Sequence, residues 1–138
     1  MNTEGTSPGG LNRFLEAQEP TIDRALAELL AGRKTSHWMW FVFPQLLGLG
    51  RSSTSKFYGI NDVAEAEAYL THPILRGRLL SCVSAVLKHR DMKLDDIFGY
   101  PDNLKFCSSM ALFSRVPSAP AIFHEALEIF CGRHKGAL

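Results

Sequence analysis

The chain has almost no charge asymmetry: fifteen Lys and Arg stand against fourteen Asp and Glu, a formal net charge of +1. A field that weak gives no electrostatic reason to expect nucleic-acid binding. Long apolar runs are missing too. The longest, residues 38–44, is far short of the roughly 20 residues needed to cross a bilayer, so no membrane partner is expected. The opening MNTEGTSPGG is polar, with none of the apolar core of a secretory signal. It reads as a flexible N-terminal tail, 1–10, ahead of a single domain, 11–138. Cysteine is scarce and odd in number: Cys82, Cys107 and Cys131 show no C-x-x-C spacing and read as free thiols on apolar helix faces in a reducing compartment, the cytoplasm. No two of the five histidines have the i, i+4 spacing of a zinc helix, so neither a metal site nor a cofactor is implied.

What is present has helical periodicity. At 138 residues and 46% hydrophobic composition, the chain is sized for one domain with one core. A short helix is predicted over 11–17. A second follows Pro20-Thr21, with Ile22, Leu26, Leu29 and Leu30 on one face and Gly32 as its stop. Asp62 and Glu65 have capping-box spacing. Pro73 opens the clearest amphipathic segment, carrying Leu75, Leu79, Cys82, Val83, Val86 and Leu87. A turn of helix over 94–98 ends at Gly99, and Pro101-Asp102 opens a helix to about Ser114. Ser118 is the expected N-cap of the last helix, with Gly132 at its end. With no second alternating run to pair with the aromatic one, strands are not expected. The fold class is therefore all-α, a compact bundle of six to seven helices. Two stretches resist the periodicity, an aromatic segment at 37–45 and a Ser-rich loop at 48–58, and such segments are where binding groups concentrate.

The segment 32–45, GRKTSHWMWFVFPQ, is the most informative. Its five rings, counting His37, fall within seven residues; large rings each bury about 150–250 Å², so part of the run is core. The alternative for Trp38 and Trp40 is the wall of a ligand pocket, with Lys34, His37 and Gln45 placing polar groups at both ends of the run. The bond preceding Pro44 disfavours helix at Phe43, which predicts that Gln45 leaves the core on a turn. His37 reads as acid, base, ligand contact or plain structural histidine. The loop 48–56, GLGRSSTSK, has the composition of a phosphate cradle but not the Walker spacing, and a surface loop is the plainer reading. On the helix DNLKFCSSMALF, Lys105 lies three and four residues before Ser108 and Ser109, so the three are expected to share a polar face. A Ser-Lys dyad there would lack an oxyanion loop; small-residue packing is the structural alternative.

In order along the chain, GRKTSHWMWFVFPQLLGLG, the Ser/Thr-rich loop with Tyr58, EAEAYLTHPIL at 65–75 and LKFCSSMALF at 104–113 resemble the domain-of-unknown-function 1810 family. The likeness runs from about Leu11 to Gly132. It implies an all-helical single domain without an assigned reaction, and a recurring polar set of Lys34, His37, Gln45, Tyr58, Lys105, Ser108 and Ser109. Two departures stand out: Ala111 replaces an expected threonine, and the tail 133–138, RHKGAL, lacks the expected Asp and Thr. A calpastatin label attached to some members has no support here, because such an inhibitor is long and disordered.

Together these readings predict a pocket for a small anionic ligand, nucleotides included. Trp38 or Trp40 would stack, Lys34 and Lys105 would meet charge, and His37, Gln45, Tyr58, Ser108 and Ser109 would complete it. Two alternatives are a non-catalytic protein-interaction module anchored by the aromatic run, and a hydrolase or glycosidase acting on an ADP-ribose-like compound, for which Asp95, Asp96 and Asp102 are the available carboxylates. Oligomeric state has no signature in the sequence. The ligand reading requires two segments some seventy positions apart to meet at one hollow.

Overall fold

The computed structural model describes residues 10–132. All of the predicted tail at 1–10 except Gly10, and the departures at 133–138, lie outside the described residues. Among the described residues nine α-helices follow in order: α1 (Asn12–Gln18), α2 (Ile22–Leu30), α3 (Met39–Val42), α4 (Ser53–Phe57), α5 (Val63–Thr71), α6 (Pro73–Leu87), α7 (Leu94–Phe98), α8 (Asp102–Ser114) and α9 (Ile122–Ala126). A π-helical turn, Leu127–Cys131, continues α9. The all-α expectation is met with more helices than expected, because the two irregular segments each contain a short one, α3 and α4. The nearest approach to a strand among the described residues is an isolated parallel bridge, Leu46 to Ile60.

Local chemistry sets most boundaries. Asp62 Oδ1 accepts from the Glu65 amide at 2.9 Å, while Glu65 Oε1 accepts from the Asn61 amide at 2.8 Å, so the capping box closes one residue upstream of its usual return partner. His72 Nδ1 accepts from the Leu75 amide ahead of α6, whose first residue is Pro73. Gly32 ends α2 with φ +80°, a backbone region that disfavours side chains, and a Cβ there would meet the His89 ring at 3.2 Å. That ring donates from Nε2 to the Leu29 and Leu30 carbonyls at 3.0 Å, satisfying the end of α2.

Two boundaries differ from expectation. The last helix starts at Ile122 with no side-chain cap; Ser118 lies too far upstream to reach its first amides. The Ser-rich stretch is not simply a loop, since Ser52 Oγ accepts from the Ser55 amide at 3.0 Å and opens α4.

The core joins α2 to α6, α5 to α8 and α8 to α9. Phe14, Trp38, Phe43, Tyr69, Phe106, Phe113 and Phe123 are its largest fully buried side chains. Phe43 meets Phe106 and Phe98 edge-on, with centroids 5.1 and 5.8 Å apart, which fastens the aromatic segment to α7 and α8. Buried Arg13, which carries no periodic signal in the sequence, ties α1 to the turn before α5. It donates to the Phe57 carbonyl at 2.7 Å and the Gly59 carbonyl at 2.8 Å and pairs with Glu65 at 3.2 Å.

The cysteine reading needs correction. Cys107 and Cys131 form a disulfide between α8 and the π turn, and among the described residues only Cys82 is free. Twenty-four positions separate the pair, and only the packing of the π turn on α8 brings them together. Among the described residues no helix is long and apolar enough to cross a membrane.

Candidate functional site

Lys34 follows the Gly32 turn, and its amide donates to the Ile97 carbonyl of α7 at 2.7 Å, which holds the 33–38 loop beside the start of α8. Glu28 shapes that loop. Its carboxylate accepts from the Thr35 amide at 2.8 Å, the Ser36 amide at 3.0 Å, Ser36 Oγ at 2.6 Å and Trp38 Nε1 at 3.0 Å. Burial alone would push this carboxyl up; the four donors outweigh it and bring it from an ordinary 4.5 down to about 2.

The Lys34 ammonium donates to the Ser36 carbonyl at 2.6 Å and lies 2.8 Å from Asp102 Oδ2. Lys105, one turn further along α8, lies 3.1 Å from Asp102 Oδ1. One carboxylate therefore bridges two lysines 71 positions apart. Burial acts to raise the Asp102 carboxyl, but hydrogen bonds and charge from Lys34 and Lys105 prevail and hold it below the ordinary carboxylate range. Each lysine also faces an indole: Lys34 Nζ is 5.0 Å from the centroid of Trp38, and Lys105 Nζ is 4.3 Å from that of Trp40. Around them is a solvent-reachable hollow of about 310 Å³, completed by His37, Met39, Phe41, Ser52 and Thr54. Its fixed charges sum to one positive from Lys34, Lys105 and Asp102. Each ammonium has three N–H groups, and the contacts above leave Lys34 one and Lys105 two.

Of the residues singled out from sequence, Lys34, His37, Trp38, Trp40 and Lys105 share this hollow. Trp38 is its buried back wall, Trp40 is partly exposed, and His37 stands exposed at its edge. The other four lie elsewhere. Gln45 is buried rather than leaving the core: its carbonyl accepts from the Ile60 amide at 2.8 Å beside the parallel bridge, and its Nε2 has no partner. Tyr58 packs against Phe14, Phe41 and Phe57, where burial raises its hydroxyl pKa. Ser109 is fully buried, and Ser108 faces a different hollow. The shared face expected for Lys105, Ser108 and Ser109 is split because three residues on turns the helix about 60° one way and four residues about 40° the other. On a helix packed on several sides that arc separates three environments.

Sequence reasoning gave Asp102 only as one acidic residue among several and did not single out Glu28; Ser52 and Thr54 belong to the 48–56 loop, whose composition suggested a phosphate cradle. For Asp102 a signal existed, its i, i+3 spacing to Lys105. Asp95 and Asp96 are not among the residues lining this hollow. Among the described residues, no group of three or more His, Cys, Asp or Glu side chains could hold a metal ion.

Comparison with curated proteins gives no match. The chain is similar to the crystal structure, at 1.38 Å, of the conserved hypothetical protein Rv1873 from Mycobacterium tuberculosis, with a TM-score of 0.87, 47% sequence identity, and coverage of 91% of this chain and 90% of that one. The family model described as protein of unknown function (DUF1810) matches residues 8–137. The chain belongs to that family.

Proposed function

We propose that the hollow between the 34–41 segment, the start of α4 and the start of α8 binds a small anionic ligand carrying a flat ring, as a nucleotide does. The observation that carries this reading is the convergence of Lys34 and Lys105 on Asp102 beneath two indoles. The ring would stack on the partly exposed Trp40. The phosphate or carboxylate would take the ammonium hydrogens not used by Asp102 and Ser36, with Ser52 and Thr54 hydroxyls at the same wall. A volume of about 310 Å³ lies at the lower end of small-molecule sites, which suits a mononucleotide better than a dinucleotide. The cytoplasm, where such compounds are made, is the setting this function fits.

Two observations favour binding over the alternatives. Trp38 and Phe43 are buried, whereas an aromatic anchor for a protein partner has to protrude. Glycoside hydrolysis ordinarily uses two facing carboxylates; the carboxylate lining this hollow is Asp102, and both of its oxygens are engaged by lysine.

The test is thermal unfolding of the full chain against AMP, ADP-ribose, glucose 6-phosphate and inorganic phosphate. A ligand at 100 times its dissociation constant stabilises by about 2.7 kcal/mol. The expected result is stabilisation by AMP that is absent in Trp40→Ala and is not matched by glucose 6-phosphate or inorganic phosphate. Unchanged unfolding across the panel would overturn the proposal.

A further inference from the structure

On the other side of α8 is a larger hollow of about 700 Å³, lined mainly by apolar side chains from the 46–49 turn, α7, α8 and the π turn. Both sulfurs of the disulfide belong to residues of its wall: Cys107 from the middle of α8 and Cys131 from the last position of the π turn. Cys107 is half-buried, whereas Cys131 is 1% exposed. A π turn is a register irregularity found frequently at functional sites. The third cysteine, Cys82, takes no part, since it is buried in the core and burial pushes its thiol up to about 12. The charged residues of the wall balance, Lys93 and Arg115 against Asp95 and Glu128.

We propose that Cys107 is a site of reversible S-thiolation by a low-molecular-weight zwitterionic thiol whose body occupies this hollow. A disulfide set in a concave wall admits a small thiol, whereas exchange with a folded protein needs sulfurs that protrude. The incoming thiolate attacks Cys107 Sγ, because Cys107 is the more exposed of the two residues. A bond forms between the thiol sulfur and Cys107 as the Cys107–Cys131 bond breaks, and Cys131 leaves as a thiolate that takes a proton from water. One disulfide replaces another, so no external oxidant or reductant is consumed. In reverse, the Cys131 thiolate attacks Cys107 Sγ, expels the small thiol and restores the bridge. The balanced wall charges suit a thiol with both ammonium and carboxylate groups, and about 700 Å³ is ample for one.

The probe is reduced glutathione added to the native full chain, followed by alkylation and peptide mass mapping without reductant. The expected product carries one glutathione on Cys107 and an alkylated thiol on Cys131, and the bridge re-forms when the probe is removed. Two variants leave all the cysteines in place while narrowing the hollow: Ala111→Phe on its wall and Leu104→Trp at an exposed position, where the larger side chain has room outside the core. Each is expected to slow adduct formation by about tenfold. The proposal fails if no adduct forms, if glutathione appears on Cys131 as often as on Cys107, if Leu104→Trp reacts at the wild-type rate, or if air-purified protein carries free thiols at both positions.

Discussion

Helix α8 contributes to two hollows built on opposite physics. On one side Asp102 and Lys105 meet Lys34 in an ionic latch under two indoles. On the other, Leu104, Cys107 and Ala111 line an apolar space fastened by a covalent bond to the π turn. The latch is directional and partly exposed, so on the proposed reading an anion that offers the ammonium groups equivalent oxygens competes with Asp102. The bridge responds to thiols and is indifferent to salt and to pH in the carboxylate range. One helix can thus serve two sites that answer to different chemical signals, provided that disturbing one leaves the other intact.

The severest test of that independence is Trp38→Ala. Trp38 is fully buried, and truncating a buried tryptophan costs about 3–5 kcal/mol, readable by urea unfolding. The charged hollow loses its back wall and Glu28 loses a donor, so the AMP response should vanish with it, while Cys107 still accepts glutathione under conditions where the variant is folded. Cys107→Ala combined with Cys131→Ala comes next, at about 3.5 kcal/mol for a loop of this length. Here the AMP response should survive, and its disappearance would show that the two sides of α8 are coupled.

Legibility in the sequence follows the same division between local and distant causes. The bounds of α7 and α8 were readable because Gly99, Pro101 and Asp102 act on their own neighbours, and the same holds for Asp62 with Glu65. Cys107 and Cys131 were not readable as a pair, because packing of the π turn on α8 is what brings them together. Gln45 misled because the residue before proline does disfavour helix, yet the bridge to Ile60 keeps the backbone in the interior. At the candidate site, residue types showed that Lys34 and Lys105 were unusual companions for the indoles. The carboxylate joining them emerges only when the chain folds back on itself.

A smaller effect separates the loop from the helix. The Glu28 carboxyl is held at about 2 in the folded chain against an ordinary 4.5, so its contribution to stability is fully present above pH 4.5 and is lost as pH falls from there toward 2. Glu28→Gln, which puts an amide where only acceptors fit, should cost about 1.5–3 kcal/mol at neutral pH, the range for hydrogen bonds to charged groups. It should also flatten the acid limb of the pH–stability curve between those two values. An acid limb identical to wild type would remove Glu28 as the organiser of the 33–38 loop. The glutathione reaction, on the far side of α8, should not change.

The smallest stability effect belongs to Lys105→Ala and is the most discriminating. Lys105 makes a partly exposed i, i+3 pair with Asp102, an arrangement worth about 0.3–0.5 kcal/mol, and its position over Trp40 adds about 0.5–1 kcal/mol. Unfolding should therefore shift by roughly 1 kcal/mol or slightly more, whereas the AMP response should be lost. Lys34 is the contrast. Its side chain is 7% exposed and it also satisfies the Ser36 carbonyl, so Lys34→Ala removes a buried partner and destabilises more than Lys105→Ala does. If Lys105→Ala is nearly silent in unfolding yet blind to AMP, the latch is a recognition device whose two cations divide the work: Lys34 builds the loop and Lys105 meets the ligand. If instead it costs as much as removing the disulfide and AMP stabilises it as it does wild type, then the ion cluster is a fastener like the bridge across the helix, and the contrast between the two hollows disappears.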